Sequence, residues 1–124
     1  MMGRLQAIDV KGKKLAWVHR QPSPISTSLL ATAGGVVFSG DLDPALKAFD
    51  DTTGKVLWQA KLDDLPSGSI VTYSIGRTQY VAVVVGLRNN HVGDLSRTYN
   101  AFRKRRGTEV ETPNGGAALW VFKQ

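Results

Sequence analysis

Three pairs of carboxylates stand close together in the chain: Asp41 with Asp43, Asp50 with Asp51, and Asp63 with Asp64. Hard cations such as calcium take ligands of this type. The run "DLD" at 41–43 is the best candidate, yet it lacks a full loop of spaced oxygen ligands. All six aspartates sit in turn or docking contexts. Neither His19 nor His91 has a partner pattern for zinc binding or nucleophilic catalysis. The chain has no cysteine, which excludes disulfides, thiolate metal sites, Cys nucleophiles and a covalent c-type haem within it. There is no Gly-rich phosphate loop, and "TAGG" at 32–35 reads as a hairpin turn between strands. We assign no catalytic residue and no metal ligand from these residues.

The formal net charge is +6, which raises a nucleic-acid reading. Much of the excess is Arg103, Lys104, Arg105 and Arg106. These read as a solvated loop, with a phosphate-binding patch as the alternative. Only Tyr99 and Phe102 lie close by in sequence as stacking partners, so nucleic acid is the weakest partner class. No N-terminal apolar stretch suits a signal peptide or a membrane span. At 124 residues and 42% hydrophobic, the chain is one globular domain or part of one. It enters a strand-like pattern almost at once, as the tail of something longer would.

The elements behind these residues repeat. Leu5, Ala7, Asp9 and Trp17 match Leu46, Ala48, Asp50 and Trp58 at an offset of 41 (46−5, 48−7, 50−9, 58−17), and Gly35 matches Gly76 at the same offset (76−35). An offset near 40 is the size of one four-stranded propeller blade. The periodic segments are short, β-branched or aromatic, and bounded by Gly, Asp and Thr, which excludes helical repeats. Strands are expected at 4–9, 14–19, 36–39, 45–50, 55–60, 69–73, 79–85 and 118–123. "YVAVVV" at 80–85 is apolar on both faces, as a strand covered on both sides is. The fold class is therefore all-β: a partial β-propeller of about two to three four-stranded antiparallel blades. Residues 3–43 and 44–86 are the two repeat-related blades. Residues 87–117 form a long excursion, with a short helix within 94–104 as one reading, and 118–123 is the closing strand.

A blade cannot bury both faces of its sheet alone and must stack on its neighbours. Trp58 brings a large flat apolar surface and an N–H that needs an acceptor. A small residue, Ala48, and a turn glycine, Gly54, let an indole lie against backbone, and Asp50 holds the turn. Ala7, Trp17, Ala48, Asp50, Gly54 and Trp58 are accordingly read as structural docking residues. Trp58 is expected to lie flat on an adjacent blade near an alanine and a turn glycine, and Trp17 to do the same one blade earlier.

The run Ala48-x-Asp50-x-x-Thr53-Gly54-Lys55-x-x-Trp58 resembles the tryptophan-docking motif of pyrroloquinoline quinone (PQQ)-dependent alcohol dehydrogenases, which are eight-bladed propellers. The copy at 7–17 departs from it, since Gly12 comes one residue early. The stretch "LATAGGVVFSGDLDPALKAFDDTTGKVLWQ" at 30–59, "QYVAVVVG" at 79–86 and "GAALWVF" at 116–122 are similar to that family's C-terminal blades, in the same order. The resemblance implies oxidation of an alcohol to an aldehyde by hydride transfer to PQQ, beside a calcium or lanthanide ion, in the periplasm. It also implies that the ion's ligands and the catalytic aspartate come from earlier blades, with which nothing here aligns. The isolated chain is thus expected to be inactive and not to bind PQQ tightly. Where many members carry a tryptophan–glycine stretch, this chain has Ile25, Ser26, Thr27 and Ser28. Where many carry a glycine-rich turn, it has Leu87, Arg88, Asn89 and Asn90. Arg88, Asn89 and Asn90 are candidates to bond PQQ, Arg88 through a carboxylate, with solvated loop residues as the alternative. The implied partner is the missing part of a longer propeller. A stand-alone, self-associating structural or binding module is the alternative, and a nucleic-acid-binding β-domain ranks third.

Overall fold

The computed structural model describes residues 2–86, 90–107 and 117–123. In chain order the elements are β1 (Gly3–Asp9), β2 (Lys14–Gln21), β3 (Leu30–Ala31), β4 (Val36–Asp41), β5 (Ala45–Asp50), β6 (Val56–Lys61), β7 (Pro66–Ile75), β8 (Thr78–Val85), α1 (Asn90–Arg106) and β9 (Ala118–Lys123). They form three antiparallel sheets, ordered β1-β2, β3-β4-β5-β6 and β7-β8-β9. The fold is all-β apart from one helix.

The offset of 41 measures the length of the repeat but not its phase. The sheets group residues 3–21, 30–61 and 66–123, whereas the expected split falls inside the four-stranded sheet, between β4 and β5. The short edge strand β3, which has only two residues, is too brief to leave a periodic signal. It pairs with β4 through Leu30↔Phe38 and Ala31↔Val37.

Two apolar clusters hold the sheets. Phe38, Leu46, Ala48, Leu62, Ile70, Val81, Val83 and Val85 are buried between the second and third sheets, with Trp120 and Phe122 packed against them. Strand β8 is buried at Val81, Ala82, Val83 and Val85, which fits its apolar run from Tyr80 to Val85. The second cluster joins Leu42, Leu65, Val92 and Tyr99, flanked by Met2, Leu95 and Phe102. It lies beneath α1. Val92, Leu95, Tyr99 and Phe102 recur at steps of three and four, which puts them on one helical stripe.

Helix α1 corrects two expectations. It is 17 residues long, so it extends beyond 94–104 at both ends. It also takes Arg103 out of solvent: the side chain is 7% exposed and paired with the Asp43 carboxylate. The stripe carries Arg103 as well, one step beyond Tyr99, so the first residue of the basic run faces inward while Lys104 and Arg105 remain exposed. Among the described residues, no helix is long and apolar enough to cross a membrane.

Candidate functional site

The residues marked by the repeat meet at the contacts between sheets. Ala7 pairs with Trp17 across β1–β2, and Ala48 pairs with Trp58 across β5–β6. An irregularity in register follows each alanine, between Ala7 and Ile8 and between Ala48 and Phe49. The two hairpins are thus copies down to the bulge.

The β5–β6 turn is built by Asp50. Its Oδ1 accepts hydrogen bonds from the backbone N–H of Thr53 at 2.8 Å and Thr52 at 2.9 Å. These two donors, Thr53 first, hold the Asp50 carboxyl below its ordinary range. Gly54 N–H donates back to Asp50 O at 2.8 Å, and Gly54 takes φ +74°. Trp17, from the neighbouring sheet, rests on this turn. Its Nε1–H donates to Asp51 O at 2.8 Å. A Cβ at Gly54 would fall 2.5 Å from Trp17 Cε3 and 2.6 Å from Cδ2. Only a residue without a side chain admits the indole there. His19 adds an edge-on contact with Phe49, centroids 4.8 Å apart.

Trp58 is placed differently. It is 41% exposed and meets Phe122 edge-on, with centroids 5.2 Å apart at 76°. It lines an apolar groove of about 270 Å³ with Phe38, Ala48, Val81 and Phe122. No glycine turn covers it among the described residues. In the second sheet that turn joins the third and fourth strands, and the third sheet has three strands. The β7–β8 turn does not replace it: a Cβ at Gly76 would meet nothing within 4 Å. Trp120, to which sequence reasoning gave no role, donates its Nε1–H to Asp63 Oδ1 at 3.0 Å and stacks on Phe122.

A polar cluster under α1 was not legible either. Asp41 is 1% exposed. It pairs with Lys47 Nζ at 2.8 Å and accepts from Gln21 Nε2 at 3.1 Å, and its Oδ1 accepts from Asp43 N–H at 2.9 Å, so it is a turn residue that is also a buried ion-pair member. Asp43 accepts from Tyr99 Oη at 2.8 Å and from Arg103, whose guanidinium also lies over the Tyr99 ring. Burial pushes the Tyr99 phenol up, and the charge of Asp41 adds to this. These partners come from β2, β4, β5, a turn and α1, and nothing in a single sequence marks them as neighbours.

Of the expected cofactor residues, Arg88 and Asn89 lie outside the described residues, and Asn90 is described only as the first backbone position of α1. Gly86 N–H donates to Leu65 O at 2.9 Å. The chain therefore leaves β8 at the end of the third sheet where Ser26 Oγ donates to Pro66 O at 2.7 Å. The other hydroxyls of that stretch are engaged too: Thr27 Oγ1 accepts from Gly40 N–H at 2.8 Å, and Ser28 Oγ from Ile70 N–H at 3.3 Å. They tie this stretch to the second and third sheets. Among the described residues there is no group of three His, Asp or Glu able to hold an ion.

The comparisons with known proteins agree with this architecture. Residues 2–81 match the family described as "PQQ: Glucose/ethanol/alcohol dehydrogenase, beta-propeller domain". A quinoprotein ethanol dehydrogenase of Pseudomonas aeruginosa is 31% identical over 98% of this chain and 18% of its own length. The quinoprotein alcohol dehydrogenase PedE of Pseudomonas putida is 38% identical over the same shares, 98% and 18%. Among solved structures, a europium-containing methanol dehydrogenase superposes with a TM-score of 0.71 at 26% identity, over 95% of this chain and 22% of that one. The quinohemoprotein alcohol dehydrogenase of Comamonas testosteroni gives 0.61 at 38% identity, over 66% and 12%. The chain spans less than a fifth of the length of these two Pseudomonas relatives, and with a family match over most of its residues it belongs to the β-propeller family of PQQ-dependent alcohol dehydrogenases.

Proposed function

We propose that the chain forms the C-terminal two to three blades of a PQQ-dependent alcohol dehydrogenase propeller, in the periplasm, and supplies its framework rather than its reacting groups. The observation that carries this reading is Trp17 seated on the Gly54 turn of the next sheet. It is a blade-to-blade contact inside a chain whose relatives are quinoprotein dehydrogenases. Ala7, Trp17, Ala48, Asp50, Gly54 and Trp58 are then docking residues. Arg88, Asn89 and Asn90 are then the residues of this chain offered to bond the cofactor, Arg88 through a carboxylate. When bound, PQQ supplies the oxidising power for alcohol oxidation beside a calcium or lanthanide ion. This chain's part is to fix the wall behind them.

The exposed apolar residues Trp58, Leu119 and Val121 favour one second reading, a module that covers these faces by self-association. A nucleic-acid role is weaker, because Arg103 is engaged with Asp43 and Tyr99.

The test is a chimera in which residues 2–123 replace the corresponding segment of PedE. The expected result is retention of PQQ and of alcohol-dependent dye reduction. A folded chimera without PQQ would overturn the reading. Titrating PQQ with calcium or a lanthanide into the isolated chain should show no stoichiometric sub-micromolar binding. Such binding would refute the incomplete site.

A further inference from the structure

We propose that α1 is a latched strap: it closes over a seat built without it, is held there through the Asp43 carboxylate, and leaves the seat as one unit while every strand pair stays closed. The seat stands without the helix. Leu42 and Leu65, each 2% exposed, belong to the β4–β5 and β6–β7 connections. Leu42 N–H donates to Pro24 O at 3.1 Å, and Leu65 N–H to Asp64 Oδ1 at 2.7 Å. Beneath them Asp41 accepts from Asp43 N–H at 2.9 Å and from Gln21 at 3.1 Å, and it pairs with Lys47 at 2.8 Å. None of these bonds involves α1. Strands β8 and β9, between which α1 lies in the chain, pair directly with each other. Lifting the helix therefore breaks no ladder and leaves its seat formed, which is the condition for a two-state element.

The helix, in contrast, depends on the seat. It contains Gly93 and has no acidic residue in its first turn, so its own helicity is weak. Its Asp94–Arg97 pair is exposed and adds little. What holds it is the stripe Val92, Leu95, Tyr99 and Phe102 on Leu42 and Leu65, together with the latch. Tyr99 and Arg103, one turn apart on α1, both donate to Asp43 Oδ1 on the seat, Tyr99 at 2.8 Å. The Arg103 guanidinium lies 4.1 Å over the Tyr99 ring and its side chain is 7% exposed. A buried cation that loses its carboxylate is driven back to water. Arg103 reaches water by lifting the last turns of α1, and Tyr99 and Phe102 go with it. Gly86 and Gly107, at φ +79° and +68°, bound the helix as joints where the chain turns without a side chain to strain. The open state bares Leu42 and Leu65 at the loop end of the sheets.

Native-state hydrogen exchange on the full chain tests this, independently of the longer-propeller reading. In the unmodified chain the α1 amides from Leu95 to Arg103 should exchange through one shared opening, with protection about tenfold or more below that of Val81–Val85 in β8. In Asp43→Ala those α1 amides should become almost unprotected, and the far-ultraviolet helical signal should disappear. Val81–Val85 should keep protection of about a hundredfold or more, and Trp17 emission should not shift. Equal protection of α1 and β8 in the unmodified chain would overturn the proposal. A helix that stays protected in Asp43→Ala would do the same, as would loss of protection in α1 and β8 together.

Discussion

Trp17 and Trp58 stand at the same place in two successive repeats, each opposite an alanine and beside a bulge. Trp17 is half-buried on a turn of the next sheet, with its N–H satisfied by Asp51. Trp58 is 41% exposed beside an aromatic edge. The same position in the repeat thus gives two environments. A docking motif specifies one half of a contact, and the neighbouring sheet supplies the other half.

The sharpest way to break the comparison is to fill the seat. Gly54→Val places a branched side chain at φ +74°, within 2.5 Å of the Trp17 ring. Backbone strain of about 1–3 kcal/mol adds to overpacking of about 1–3 kcal/mol. Against a total stability of about 5–15 kcal/mol, a combined loss of about 2–6 kcal/mol should lower the melting temperature strongly. Gly76→Val at φ +61° has the strain without the clash, because nothing lies within 4 Å. It should cost roughly 1–3 kcal/mol. Equal melting temperatures for the two variants would remove the indole from the account.

Truncating each tryptophan gives the next largest difference. Trp17→Ala should cost about 3 kcal/mol, the low end of the usual range for aromatic truncation because the ring is half-buried. Trp58→Ala should cost roughly 1 kcal/mol in this chain, since much of its area is already in water. Denaturant melts of both variants decide it. If Trp58→Ala were the more damaging, the groove would be filled in solution.

A third test asks whether α1, rather than Trp17, holds the first sheet. Tyr99→Phe removes the hydrogen bond donated to Asp43 and the one accepted from Arg103, and keeps the ring in the cluster that Met2 also touches. A loss of about 1 kcal/mol is expected, with Trp17 emission unchanged in the folded state. A red shift of that emission would show that the helix seats the tryptophan.

What the sequence displayed follows from the range of each interaction. The hairpins 3–21 and 45–61 were legible because alternation, Asp caps and turn glycines act within a few residues. Strand β3 was not, being two residues long and held by the strand beside it. Helix α1 begins near Asn90 and contains Gly93, so local propensity is poor, and its stripe gains its value only against Leu42 and Leu65. Arg103 looked like one of four solvated charges because its partner Asp43 is 60 residues away. The contact of Trp17 with the Gly54 turn joins residues that were legible as a repeated pattern. That no described residue seats Trp58 was not, because the seat of Trp17 depends on the fourth strand of the second sheet and the turn before it.

The smallest expected effect concerns the two turns themselves. Asp50 accepts two backbone N–H bonds, whereas Asp9 accepts one, from Lys11 at 3.0 Å. The bonds to Thr53 and Thr52 lower the folded-state pKa of Asp50. A carboxyl lowered on folding contributes stability above its unfolded pKa, about 3.9, and loses that contribution as pH falls through the lower folded value. Asp50→Asn keeps a side-chain oxygen for the turn but has no charge to lose. The melting temperature of the unmodified chain should therefore exceed that of Asp50→Asn at pH 6. The gap should narrow from about pH 4 downward and close once Asp50 is protonated in both states. Because the group is exposed, the gap should also shrink with added salt. A gap that stays constant from pH 6 to pH 2 would mean that the charge is irrelevant to the turn. The better seat of Trp17 would then rest on Gly54 alone.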